Sequence, residues 1–100
     1  MNESILERIA SGDQAAVAQC LDRYGGLVWS VARSWSDNAA DAEDATQEIF
    51  IALWKSAARY NPSVGSEAVF ISTIARRRMI DRLRSKGRRP STEEFDESVM

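Results

Sequence analysis

Between Arg76 and Arg89 the chain carries eight basic residues, Arg76, Arg77, Arg78, Arg82, Arg84, Lys86, Arg88 and Arg89, and one acid, Asp81. Guanidinium groups at this density present forks of donors that suit phosphate oxygens, and at helical spacing they can follow a nucleic-acid backbone. The whole chain has 13 basic and 15 acidic residues, so acids prevail outside this segment. A basic stretch on an acidic body is the charge distribution of a protein that meets a polyanion at one place and is repelled elsewhere. On charge alone, a solvated basic helix or a site for an acidic protein stays open as the alternative.

A second group of reactive side chains is acidic. Asp41, Glu43, Asp44 and Glu48 supply the carboxylates of a metal-dependent nuclease, but on a helix they diverge rather than converge on one ion. Asp44, Gln47, Glu48 and Ile51 fall at i, i+3, i+4 and i+7, one acidic and amide face with an isoleucine set among polar neighbours. Such a face suits docking to another protein, and it equally describes ordinary solvated surface. On the opposite side Ala45, Ile49, Ala52 and Leu53 form an apolar stripe, widened by Phe50, Trp54 and Ala57, that belongs in a core.

Composition narrows the classes further. There is no histidine and a single cysteine, so the usual zinc sites and an intramolecular disulfide are excluded; no metal or cofactor is expected. Cys20 sits in the apolar repeat Ala16, Val17, Cys20, Leu21 and reads as a small buried hydrophobe. The polar start Met1-Asn2-Glu3-Ser4 and the lack of any long apolar run indicate neither secretion nor membrane insertion, and a cytoplasmic protein is expected.

The elements that position these residues are helical. A short helix from about Glu3 to Ala10 should stop at Gly12, with Asp13 capping the next. That second helix runs to Tyr24, where Gly25-Gly26 predicts a kink before Leu27 to Trp35. Ser36 to Ala40 reads as a turn, Asp41 as the cap of a third helix lasting to about Arg59, and Tyr60 to Ser66 as a defined loop. Ser66 then caps a last helix, about Glu67 to Ser85, stopped by Gly87. Its ridge Ile71, Ala75, Met79, Leu83 should pack inward, while Thr73, Arg76, Arg77, Ile80 and Arg84 share another face. No strand candidate and no repeat is present. The expected fold is all-α: a compact helical domain over residues 1–90, three long helices plus a short N-terminal one, followed by an acidic tail over 91–100.

Several of these residues also carry a family likeness. Ala42-Glu43-Asp44, Gln47-Glu48, Phe50 and Trp54 resemble region 2.2 of bacterial sigma factors of the extracytoplasmic-function group. Tyr60-Asn61-Pro62, Gly65-Ser66, Phe70-Ile71, Ile74-Ala75-Arg76, Ile80-Asp81 and Arg84 resemble regions 2.3 and 2.4 of the same group, and Leu21 to Ala32 resembles region 2.1.

The resemblance implies that Asp44, Gln47, Glu48 and Ile51 dock on the clamp helices of the largest core RNA polymerase subunit. It also implies that Thr73, Arg76, Arg77, Ile80 and Arg84 face the minus-ten promoter element. Arg78, Arg82, Lys86, Arg88 and Arg89 would hold the DNA backbone. Tyr60, Asn61, Pro62, Ser63, Gly65, Ser66 and Phe70 would hold a base flipped from the single-stranded non-template strand. Function on this basis is promoter recognition and melting without catalysis, with an anti-sigma factor as a further partner. The competing class is a stand-alone protein-binding module, an anti-sigma target or decoy, whose basic helix takes an acidic partner.

The sequence also departs from the family's pattern. Glu67 stands where an aromatic is common, Phe70 where tryptophan is, and Arg77 where asparagine is. Glu67 is expected to cap its own helix. Val69 and Phe70 stand where primary sigma factors place a paired aromatic wedge, which predicts weaker melting and a need for a closely matched promoter. The acidic residues Glu93 to Glu97 resemble the start of the linker to a second helical domain, region 4, so the chain reads as region 2 alone.

Overall fold

The computed structural model describes residues 3–88, which form four α-helices and one 3-10 turn with no strand among them. Helix α1 spans Ile5–Ala10, α2 Gln14–Ser34, α3 Ala39–Ser56 and α4 Glu67–Arg88, with the 3-10 turn at Ala57–Arg59. Helix α2 packs against α1, α3 and α4, and α3 packs against α4, so each long helix meets the other two. The expected acidic tail, residues 91–100, lies outside the described residues.

Helix ends follow side-chain chemistry. Ser4 Oγ accepts from Glu7 N while Glu7 Oε1 accepts from Ser4 N, closing a capping box at the start of α1. Gly12 turns the chain at φ +94°, a conformation glycine adopts without steric cost. Asp13 Oδ1 then accepts from Ala15 N and Ala16 N, with its other oxygen 2.9 Å from Arg8. The hydrogen bond from Arg8 holds the Asp13 carboxyl below its ordinary pKa.

Several expected boundaries shift. Asn38, not Asp41, caps α3: its Oδ1 accepts from Asp41 N at 2.9 Å, and the helix begins at Ala39. The last turn before the loop tightens to 3-10 at Ala57–Arg59. Helix α2 runs without interruption through Gly25 and Gly26, although each costs about 0.5–1 kcal/mol relative to alanine there. Packing of a long amphipathic face outweighs that local cost. Helix α4 likewise continues across Gly87 to Arg88.

The core is built from Leu6, Cys20, Val28, Ile49, Phe50, Leu53, Ile71 and Met79, with Ala16, Ala32, Ala42, Ala45, Ala57 and Ala75 between them. The alanines let helix backbones approach closely, so that longer side chains from neighbouring helices fill the space. Two apolar expectations fail at their ends: Leu83 is 44 % exposed and Leu21 46 %. Burial pushes the Cys20 thiol up to about 11, with the Glu67 charge adding to it. Burial also raises the Tyr24 hydroxyl, followed by its hydrogen bond to Glu67 and that carboxylate's charge, with Arg23 opposing.

Two polar ties join the helices. Glu67, in the first turn of α4, reaches away from its own helix: Oε2 accepts from Leu6 N at 3.0 Å and Oε1 accepts from the Tyr24 hydroxyl at 2.9 Å. It therefore caps α1, not α4, whose start is served by Ser66. The reason is competition: Leu6 N is one of the unpaired donors at the α1 N-terminus, and the Ser66 side chain already occupies the equivalent place on α4. At the other end of α4, Arg82 Nη1 donates to Glu48 Oε2 and lies 3.5 Å from Asp44 Oδ2, while Arg78 Nε lies 3.5 Å from Glu48 Oε1. The Arg82 side chain is only 17 % exposed. Burial alone would lower its pKa, but Glu48 and then Asp44 raise it, so the guanidinium stays charged.

Glu67→Ala leaves the Leu6 amide and the Tyr24 hydroxyl without their acceptor, and should cost about 1–3 kcal/mol in urea unfolding. Glu48→Ala and Arg82→Ala should each destabilise the domain, and a double-mutant cycle should return a coupling of about 0.5–3 kcal/mol; a coupling indistinguishable from zero means the pair is decorative. For Cys20, a folded-state pKa raised above the unfolded value means the unfolded chain loses its proton first. Its contribution is therefore complete below pH 9 and lost as pH rises toward about 11. Urea midpoints should fall across that window, and less steeply in Cys20→Ala.

Candidate nucleic-acid interface and docking face

The loop between α3 and α4 is held by its own hydrogen bonds. Asn61 Oδ1 accepts from Ser63 N at 2.9 Å and the Asn61 carbonyl accepts from Val64 N at 3.0 Å, a side-chain turn laid over a backbone turn. The Tyr60 hydroxyl donates across the loop to the Gly65 carbonyl at 3.0 Å. Its ring meets Phe70 edge-on, with centroids 5.4 Å apart. Partial burial and the nearby Glu67 and Glu7 carboxylates raise the Tyr60 pKa, which keeps the hydroxyl a donor. Ser66 closes the loop by accepting from Val69 N at 3.2 Å through Oγ and from Phe70 N at 3.1 Å through its carbonyl.

These bonds frame a cavity of about 320 Å³ between the loop and the first turns of α4. Of the residues that the resemblance assigns to a flipped base, Tyr60, Asn61, Gly65, Ser66 and Phe70 line it, while Pro62 and Ser63 are exposed loop residues that do not. Arg59, Val64, Val69 and Ile74, which the resemblance does not assign to that base, line it too, and Thr73 and Arg77 of the helical face open onto the same cavity. Helical spacing held the signal: Val69, Thr73 and Arg77 recur every four residues from the capped start of α4, with Phe70 and Ile74 beside them. The walls are mostly apolar, and the guanidinium groups of Arg59 and Arg77 make the surroundings attractive to an anion.

Along α4 the arginines divide. Arg76, Arg77 and Arg84 are exposed, with Thr73 and Ile80 partly buried between them. The Thr73 hydroxyl gives its hydrogen to the Val69 carbonyl at 2.8 Å, so it meets a ligand as an acceptor. Arg78 and Arg82, expected on the DNA backbone, pair with Glu48 in the domain without DNA. The side chains of Lys86 and Arg88, and the whole of Arg89, lie outside the described residues.

On α3, Asp44, Gln47 and Ile51 are exposed and Glu48 is half-buried, all on one face as their spacing requires. Ile51 is 52 % exposed. The face is less acidic than its sequence suggests, because Arg82 and Arg78 partly neutralise Asp44 and Glu48 from the side. Among the described residues, no three histidine, cysteine or acidic side chains converge on a point that could hold a metal ion, and no helix is long and apolar enough to cross a membrane.

Comparison with known proteins places this arrangement. Residues 20–89 match the family model for sigma-70 region 2. The chain is 33 % identical over 84 residues to ECF RNA polymerase sigma factor SigK of Mycolicibacterium vanbaalenii, covering 84 % of this chain and 43 % of that protein. It is 32 % identical over 82 residues to the protein of the same name from Mycobacterium tuberculosis H37Rv, covering 82 % and 44 %. The chain thus spans less than half the length of the curated relatives it matches. With region 2 matched from within α2 to the end of α4, the chain belongs to the sigma-70 family as a region 2 domain of the extracytoplasmic-function type.

Proposed function

We propose that this domain attaches to core RNA polymerase through Asp44, Gln47, Glu48 and Ile51 on α3, and recognises and opens the minus-ten promoter element through α4 and the loop before it. The observation that carries this reading is the cavity at the foot of the arginine face, continuous through Thr73 and Arg77 with the helix expected to lie on DNA. Flipping a base into such a site costs a few kcal/mol of lost stacking. Tyr60 and Phe70 supply aromatic surface, and stacking on it returns about 1–3 kcal/mol. Arg76, Arg77 and Arg84 would face the duplex, with Ile80 among them. Arg78 shares its charge between Glu48 and solvent, and Arg82 acts chiefly by fixing α4 on α3.

Region 2 is assigned to residues 1–90, and residues 91–100 to the start of a linker. Work of this kind is done in the cytoplasm on chromosomal promoters, without catalysis by the domain. An anti-sigma factor as regulator rests on family resemblance alone.

The test uses single-stranded non-template oligonucleotides varied one position at a time, with the domain alone and with core polymerase present. One position should show a strong nucleotide preference. Arg88→Ala should weaken all sequences alike and reduce the salt slope by about one, as loss of a phosphate contact does. Arg76→Ala should instead relax the preference at the upstream edge. A flat profile removes the base pocket, and binding of acidic protein without any oligonucleotide binding favours the protein-binding module.

A further inference from the structure

The loop beside the cavity is anchored at two ends, the 3-10 turn at Ala57–Arg59 before it and the first turn of α4 after it. Helix α1 touches both. It packs on the 3-10 turn, whose last residue, Arg59, lines the cavity. Through Leu6 N it donates to Oε2 of Glu67, one turn before Phe70, which also lines the cavity. After burial, the charges that raise the Tyr60 hydroxyl are those of Glu67 and of Glu7 on α1, so the ring inside the loop lies near both carboxylates. Oε1 of Glu67 takes the Tyr24 hydroxyl, which fixes the same side chain to α2.

Glu67 is thus no ordinary solvated acid. It is half-buried, and its two oxygens are spent on partners 61 and 43 positions away in the chain, while Ser66 serves the start of α4. The residues matched to region 2 begin at 20, so this tie joins the matched segment to a helix that precedes it. We propose that Glu67 is a positioning residue for the cavity: by tying α1 to the start of α4 it holds the two ends of the loop in register, so that Tyr60 and Phe70 meet a base in one geometry. This rests on the reading of the cavity as a base pocket and adds the side chain that sets its shape. Without Glu67 the Leu6 amide and the Tyr24 hydroxyl lose their acceptor, and α1 and the first turn of α4 relax toward other partners. Recognition tolerates displacements of only about 0.5 Å, so such a relaxation is read as lost discrimination before it is read as lost fold.

The test is the ratio of affinities between the preferred nucleotide and its competitors, at the position that the single-stranded scan identifies. Glu67→Ala should lower that ratio by about fivefold and leave binding to duplex DNA by the arginine face nearly unchanged. Glu67→Gln removes the same charge but keeps an oxygen for Leu6 N and an amide for the Tyr24 oxygen, so it should retain the wild-type ratio. Val28→Ala, in the core and not on the cavity, lowers stability without touching the tie and should retain it too, at a temperature where every variant is folded. A ratio that survives Glu67→Ala overturns this inference and leaves the pocket standing. So does a ratio that falls equally in Glu67→Gln, which makes the charge responsible, or in Val28→Ala, which makes stability responsible. A flat wild-type profile overturns the pocket and this inference with it.

Discussion

Helix α4 can hold a row of arginines outward only because one narrow ridge, Ile71, Ala75 and Met79, is wholly withdrawn from water. Like charges a turn apart repel, and a helix so basic gains little from its own surface. Burial of isoleucine and methionine side chains, at about 1.5–3 kcal/mol each, supplies what the surface does not. The small Ala75 brings α4 close to the alanine-rich faces of α2 and α3, so that a short ridge is enough. Everything proposed for DNA depends on this constraint, since the same rotation that buries the ridge sets which arginines face outward.

Polar ties hold both ends of that ridge. At the N-terminal end Glu67 gathers α1 and α2 by accepting from Leu6 N and the Tyr24 hydroxyl, one turn from the cavity. Toward the C-terminal end Arg82 and Arg78 hold Glu48. Glu48 thereby belongs to two surfaces at once: it is part of the face assigned to polymerase docking, and it anchors the helix assigned to DNA. A partner cation approaching Glu48 meets a carboxylate already shared, so the docking face is closer to neutral than its composition implies. Because Arg82 is mostly withdrawn from water, removing Glu48 would leave its charge poorly solvated, a larger loss than breaking an exposed ion pair, whose worth rarely exceeds about 1 kcal/mol.

Rigidity in the Tyr60 to Ser66 loop follows from the same economy of short bonds. Asn61, Tyr60 and Ser66 each spend a polar atom on loop or helix backbone, so the cavity exists before any ligand enters. A preformed site avoids the ordering cost that a mobile loop would pay on binding.

Helical content, the Ser66 and Asp13 caps, the turn at Gly12, the buried stripe of α3 and the basic face of α4 were legible in the residues, because capping, periodicity and glycine stereochemistry act within a few positions of one another. The fate of Glu67, the pairing of Arg82 with Glu48, the exposure of Leu83 and Leu21 and the joining of Arg77 to the loop cavity were not. Each depends on which helix lies opposite, and a carboxylate in the first turn of α4 reads identically whether it caps its own helix or reaches to α1. Asp41 and Asn38 differ by so little as caps that only the observed hydrogen bond separates them. The sequence by itself therefore determined the elements, the family and the faces; only the tertiary structure decided which charges are shared between helices and which remain for a partner, because ion pairs form between residues far apart in the chain whose distance no local pattern encodes.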